Sequence, residues 1–228
     1  MTTKGLSKTV HATDHYENFP VASFIIPKKI RKHVINVYNF ARLADDVADE
    51  GKMDSKERIR LLNLFDKVLK IQNDPPLNSF NESKIENKII TITTLVKNDF
   101  SKLKISHDWL SRLLVAFRYD SKFTVFETWK HVFAYCENSA NPIGRILLEL
   151  FGIDGNNKNH QSMLKKIHLK SDAICTGLQI VNFAQDAAED DDKGRPTFPR
   201  EIWPLHIKTF DNYNFSTLSL YEKNVLIQ

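Results

Sequence analysis

A helix that begins apolar and ends in acid constrains this chain more than any other feature. Val34, Tyr38, Ala41, Asp45 and Asp49 fall on one stripe, because residues three and four apart share a helix face. The stripe closes on two carboxylates, and Gly51 then stops the helix. Acids at a helix C-terminus face the negative end of its dipole. A cluster of them there asks for a positive partner.

The pattern recurs. From Gln179 to Asp192 a second apolar helix runs into acids, and Asn182, Asp186 and Asp190 stand four apart on one face. Gly194 and Pro196 end it. Two helices that each carry oxygen donors at i and i+4 can hold Mg²⁺ between them, since that ion prefers hard oxygen ligands completed by waters and phosphates. A solvated acidic face is the competing reading for either cluster alone. Two clusters, each with an arginine on the same turns (Arg42, Arg195), favour the metal site.

The rest of the chain reads as helix. Only 7 of 228 residues are glycine, and no stretch sustains period-two alternation. We expect helices from Lys28 to Glu50, after a cap at Asp54 or Ser55, and, after the polar stretch Asn78–Ser83, through Ile85 to about Asn98. Others are expected from Ser106 or His107 to Asp120, from Thr124 past Cys136, from Ile143 to Phe151, from His160 to Asp190, and from Ser216 or Thr217 onward. Breaks are expected at Asn73–Pro76, Ser139–Pro142 and Gly152–Asn159. The fold class is all-α. It is one helical bundle around a central apolar cavity, as a single domain over residues 1–228 with residues 1–14 weakly ordered. Fifteen phenylalanines make an aromatic core or pocket the natural expectation.

Charge excludes one class of partner. The formal net charge is only +4 with dispersed lysines, so no nucleic-acid stripe is present. Cys136 and Cys175 lack metal-ligand spacing and read as structural thiols. No run reaches the roughly 18 to 20 apolar residues of a spanning helix, and the N-terminus lacks a signal-type apolar region. A cytoplasmic protein is expected, with peripheral membrane contact left open.

Carboxylate-held Mg²⁺ points to a phosphorylated reactant, yet no Walker motif or phosphate-cradling glycine loop is present. A greasy diphosphate suits such a bundle. Mg²⁺ and Arg or Tyr donors would neutralise the departing diphosphate. A dry aromatic pocket would protect the allylic cation left behind.

The residues also carry a resemblance. Tyr38 to Asp49 is similar to the first aspartate-rich motif of the squalene/phytoene synthase family, and Gln179 to Asp190, continuing to Arg195, is similar to the second. His15–Ser23 and Tyr135–Arg145 resemble the bacterial hopanoid-pathway branch, described as converting presqualene diphosphate to hydroxysqualene. The resemblance implies an isoprenoid-synthase type bundle and three Mg²⁺ ions that bind diphosphate between the motifs. It implies metal ligands at Asp45, Asp49, Asn182, Asp186 and Asp190, and diphosphate or water contacts from Arg42, Gln179 and Arg195. Tyr38, Asp46 in a supporting role, and Tyr135 at the reacting centre would serve catalysis. Read from the residues alone, each tyrosine suits a core aromatic, and His15 and His33 suit surface or capping positions.

The sequence also departs from the family pattern. Thr197 stands where the family places a tyrosine, which moves a hydroxyl role to the threonine. Tyr16 and Asn18 occupy the region of the Ser-x-Ser anchor of carotenoid-type members. The family continues for two or more helices beyond the position of Gln228. A shortened gene, another chain or a membrane are the alternatives for what then closes the cavity. A partner enzyme of the same pathway is a further candidate contact. Alternative readings are squalene from farnesyl diphosphate, phytoene-type condensation, and a non-catalytic scaffold whose Asp motifs would be degraded. Here both motifs are intact. No nicotinamide fingerprint is visible, which favours water over hydride as the quench and leaves NADPH open.

Overall fold

The computed structural model describes residues 26–71, 83–153 and 158–203. They form seven α-helices: α1 (Lys28–Asp49), α2 (Ser55–Lys70), α3 (Lys84–Leu103), α4 (Asp108–Asp120), α5 (Trp129–Ser139), α6 (Asn141–Leu150) and α7 (Lys158–Asp192). One 3-10 turn follows at Arg200–Ile202. No strand occurs among the described residues, as the missing alternation requires. None of their helices is long and apolar enough to cross a membrane.

The periodic apolar positions are the ones that bury. Ile30, Val34, Val37, Phe40, Leu43, Ala44 and Val47 turn α1 into the central helix. It packs against Leu61, Leu62 and Phe65 of α2, Ile89, Val96 and Phe100 of α3, and Leu110, Leu113 and Leu114 of α4. Phe40 meets Phe65 edge-on, ring centroids 5.3 Å apart at 84°. Each such ring removes its full apolar surface from water, which stabilises by about 2 to 3 kcal/mol.

Helix ends follow their caps. The Asp54 carboxylate accepts from the Glu57 amide at 2.8 Å, and Ser83 and Glu86 form a reciprocal capping box. Gly51 takes φ +74° directly after α1. Arg58, 7% exposed, then donates to the carbonyls of Val47, Gly51 and Met53 at 2.9, 3.0 and 3.1 Å. This buried guanidinium satisfies one terminal carbonyl of α1 and two of the connection that follows, and puts positive charge beside the helix's acidic end.

Four helices have ends that differ from the expectation. α3 runs on to Leu103 rather than stopping near Asn98, and Lys104 supplies the left-handed cap at φ 60°. The Asn98-Asp99 pair is tolerated mid-helix because Asp99 takes the Asn36 amide at 2.6 Å and lies 2.9 Å from His33 Nδ1. His33 is thus half-buried in an α1–α3 contact rather than a surface residue. α5 opens at Trp129, not Thr124, because Thr128 is extended and the Phe126 and Glu127 carbonyls accept the Arg200 and Glu201 amides at 2.9 and 3.1 Å. α6 starts at Asn141, since Pro142 is compatible with a first helical turn. α7 extends two residues beyond each expected end. Residues 1–14, His15–Ser23, the Asn73–Pro76 break and the helix expected from Ser216 lie outside the described residues.

α6 and α7 approach closely at Gly144. A Cβ there would lie 2.4 Å from Ser171 Oγ and 2.6 Å from Cys175 Sγ. Arg145 fixes the same contact by pairing with both oxygens of Asp172 at 2.7 and 2.8 Å.

Candidate active site

α1, α6 and α7 line an open cavity of about 800 Å³. Its wall is apolar, from Val34, Val37, Ala41, Ile143, Ile146, Leu147, Ile174 and Leu178. Five of the polar groups on that wall are Tyr38, Arg42, Asp45, Gln179 and Asn182. All five were anticipated from sequence, and the two motifs supply them from opposite sides. Tyr38, Ala41, Arg42 and Asp45 succeed one another at spacings of three, one and three along α1. Gln179 and Asn182 are one turn apart on α7.

The remaining acids lie around this wall. Arg42 gathers three carboxylates, with Nε 2.9 Å from Asp46, Nη1 3.3 Å from Asp45 and Nη2 2.8 Å from Glu50. Asp45's surface faces the cavity, yet protein crowds it. Burial first, then the charge of Asp49, pushes its carboxyl up to about 7. Burial likewise raises Asp46, with Arg42 opposing. On α7, Asp186 is exposed and Asp190 is half-buried. Burial, then Asp186, raises Asp190 to about 6.

One ion pair joins the motifs. Arg195 Nη1 lies 3.2 Å from Asp49 Oδ2, across 146 positions of sequence. Gly194 at φ +74° and the Arg195 amide's 2.7 Å bond to the Asp190 carbonyl turn the chain so that this side chain reaches back to α1. Thr197, which follows, keeps a buried hydroxyl with no hydrogen-bond partner among the described residues.

Tyr135 occupies a different position from the cavity-lining residues. Its ring belongs to an aromatic cluster with Tyr119, Phe126 and Phe183, centroids 5.4 to 6.1 Å away. Its hydroxyl donates to Asp120 Oδ2 at 3.0 Å. Asp120, the last residue of α4, entered the sequence reading only as a helix end. Burial pushes its carboxyl up to about 7, and Asp45 and Asp49 add to the rise while Arg195 opposes it. The α1 acids, Arg195 and Tyr135 are therefore electrostatic neighbours of one half-buried carboxyl group.

Comparison with known proteins gives the chain its relations. Residues 12–210 match the squalene/phytoene synthase family. The chain belongs to that family. Among its relatives in the squalene/phytoene synthase family is the hydroxysqualene synthase of Zymomonas mobilis subsp. mobilis, 34% identical over 76% of this chain and 51% of the relative. The hydroxysqualene synthase of Rhodopseudomonas palustris is 32% identical over 78% of this chain and 53% of the relative. The crystal structure of squalene synthase HpnC from Alicyclobacillus acidocaldarius superposes with a TM-score of 0.61 at 30% identity, covering 86% of this chain and 66% of that one. The all-α bundle is thus the fold of this family. The chain spans about half the length of the curated relatives it matches.

The donor set fits a hard divalent cation. All five candidate ligands offer oxygen, and burial and mutual repulsion raise two of them, Asp45 and Asp190. Among the described residues no three carboxylate, imidazole or thiol groups form a ready-made cage. Mg²⁺ commonly keeps waters and takes substrate phosphate oxygens beside one or two carboxylates.

Proposed function

We propose that the chain carries out prenyl-diphosphate chemistry of squalene or hopanoid biosynthesis. The favoured reaction is ionisation of presqualene diphosphate to hydroxysqualene, with release of diphosphate. The observation that carries this reading is the meeting of two acidic helix ends, through Arg195 and Asp49, at an apolar cavity of about 800 Å³. The hydroxysqualene synthases among its relatives support the branch.

Asp45 and Asp49 on α1, with Asn182, Asp186 and Asp190 on α7, would hold Mg²⁺. When bound, that ion neutralises the diphosphate as its C–O bond breaks. Arg42, Gln179 and Arg195 would bind the diphosphate oxygens as charged or amide donors. Asp46 fixes the Arg42 guanidinium at 2.9 Å and so orients it. The apolar wall would take the hydrocarbon. Tyr38 belongs to that wall, where its ring would stabilise positive charge.

The test is product analysis. Protein with Mg²⁺ is given presqualene, farnesyl or geranylgeranyl diphosphate, with and without NADPH, and the apolar extract is examined by mass spectrometry. Hydroxysqualene from presqualene diphosphate without NADPH is expected. Squalene made only with NADPH would replace water by hydride, and phytoene would change the substrate. No product from any of the three by folded protein would overturn the reading.

A further inference from the structure

Two of the three groups proposed to hold diphosphate already hold carboxylates. Arg195 lies 3.2 Å from Asp49, and Arg42 lies within 3.3 Å of Asp45, Asp46 and Glu50. Three of these four acids have a part in the site as proposed, Asp45 and Asp49 toward the metal and Asp46 in orienting Arg42. Glu50 has none. It is not among the residues that line the cavity, and it stands one position past α1 in extended backbone, at φ −85° and ψ 152°. Its carboxylate nevertheless reaches back eight positions to Arg42 Nη2, and at 2.8 Å this is the shortest of the three Arg42 contacts. Closing the helix does not require it, because the Glu50 amide on the Asp46 carbonyl and Gly51 at φ +74° do that without the side chain. Nor does packing, because the Glu50 side chain is 60% exposed, against 42% for Asp45 and 33% for Asp46. A carboxylate at the negative end of a helix gains by turning to a cation, which explains why the contact forms. The cation it takes is one that lines the cavity.

We propose that Glu50 is a placeholder for the diphosphate on Arg42, occupying the guanidinium while the site is empty and displaced when the diphosphate arrives. Carboxylate and phosphate oxygens compete for the same N–H donors of a guanidinium. Of the three acids around Arg42, the most exposed is the one an incoming anion displaces at least cost. Arg42 then accepts diphosphate only in the fraction of molecules whose Glu50 pair is open, and the apparent affinity is reduced by that fraction. Glu50 thereby sets how tightly diphosphate is held. The exchange replaces one anion by another, so no covalent bond changes and no proton moves. This deepens the proposed function and rests on its assignment of Arg42 to the diphosphate.

The experiment is a double-mutant cycle with Glu50→Gln and Arg42→Gln. The Kd of inorganic diphosphate is measured by isothermal titration calorimetry, with saturating Mg²⁺ at low ionic strength. Glu50→Gln should bind diphosphate about 2- to 5-fold more tightly than the wild type, the range expected when an exposed ion pair no longer competes. In the Arg42→Gln background the same substitution should change nothing, because the carboxylate has no guanidinium to occupy. Unchanged or weaker binding in Glu50→Gln, as for a carboxylate that serves the metal or shapes the site, would overturn the assignment. An equal gain in both backgrounds would also overturn it, since that gain would come from removing a negative charge near the anion rather than from freeing Arg42. Should Arg42→Gln not fold by circular dichroism, Arg42→Met replaces it.

Binding and turnover separate this claim from the function itself. A wild type that binds diphosphate but makes no product fails the proposed function, and the cycle still decides the placeholder. Product formation with a Kd indifferent to Glu50→Gln overturns the placeholder and leaves the function standing. Diphosphate bound by neither the wild type nor Glu50→Gln would overturn both.

Discussion

Single residues in this site are recognisable by their electrostatic cost. The two aspartate clusters were legible because acids at a helix C-terminus are out of place. Asp120 carries the same signature at the end of α4. It was missed because a lone acid there also reads as an ordinary helix stop, and its partner Tyr135 is 15 positions away. We predict that Asp49→Asn, which breaks the bond to Arg195, and Asp186→Asn each lower turnover by at least about 100-fold. The helical circular-dichroism spectrum should be unchanged, and full activity in either variant would remove the metal-site assignment. The pH dependence has a definite sign. Asp45 and Asp120 hold their protons up to about 7 when folded, well above an unfolded aspartate. Between about pH 4 and 7 the folded state therefore binds more protons, and stability falls as pH rises through that window. Thermal melts without Mg²⁺ should show a higher Tm at pH 5 than at pH 8, with the gap narrowed by Asp45→Asn. A higher Tm at pH 8 would contradict the burial of these acids.

At the scale of elements, period and caps located the helices, while tertiary pairing moved their ends. Nothing local distinguishes the extended stretch before Trp129 from a first helical turn. Its conformation is set by amides of Arg200 and Glu201, more than seventy positions later. The role of Arg58 was equally hidden, because an arginine three residues into a capped helix reads as surface charge. Arg58→Leu should destabilise by about 3 kcal/mol, since it leaves three carbonyls without their charged donor. Denaturant unfolding measures this, and Arg58→Lys should recover little because an ammonium cannot span the fork. Gly144→Ala tests the α6–α7 contact. Its Cβ would overlap Ser171 Oγ and Cys175 Sγ, so α7 must shift or the side chains must turn. We expect a cost of about 1 to 3 kcal/mol. Gly144→Ala combined with Ser171→Ala and Cys175→Ala should regain much of it, and an undisturbed single variant would refute the close packing.

Across the whole molecule, fold class was the most legible property and closure of the cavity the least. Scarce glycine, absent alternation and long apolar periods left only a helical bundle to form. What sequence could not supply was which helix faces meet. Ile174, Leu178 and Val181 are large apolar residues, yet they are more than half exposed on the described part of α7. The bundle as a whole should respond to ligand by mass action. With Mg²⁺ and inorganic diphosphate at about 100 times their joint dissociation constant, binding adds about 2.7 kcal/mol. For a chain of this size that raises Tm by roughly 5 to 10 °C. Chelation should reverse the shift, and a melting curve indifferent to both would exclude a folded-state site. The short backbone pairing of Phe126 and Glu127 with Arg200 and Glu201 has a mechanical consequence. It acts as a tie rod between the segment leaving the second acidic helix and the foot of α5, on which Tyr135 rides. A displacement of Arg195 is therefore passed on toward the aromatic cluster of Tyr119, Phe126, Tyr135 and Phe183.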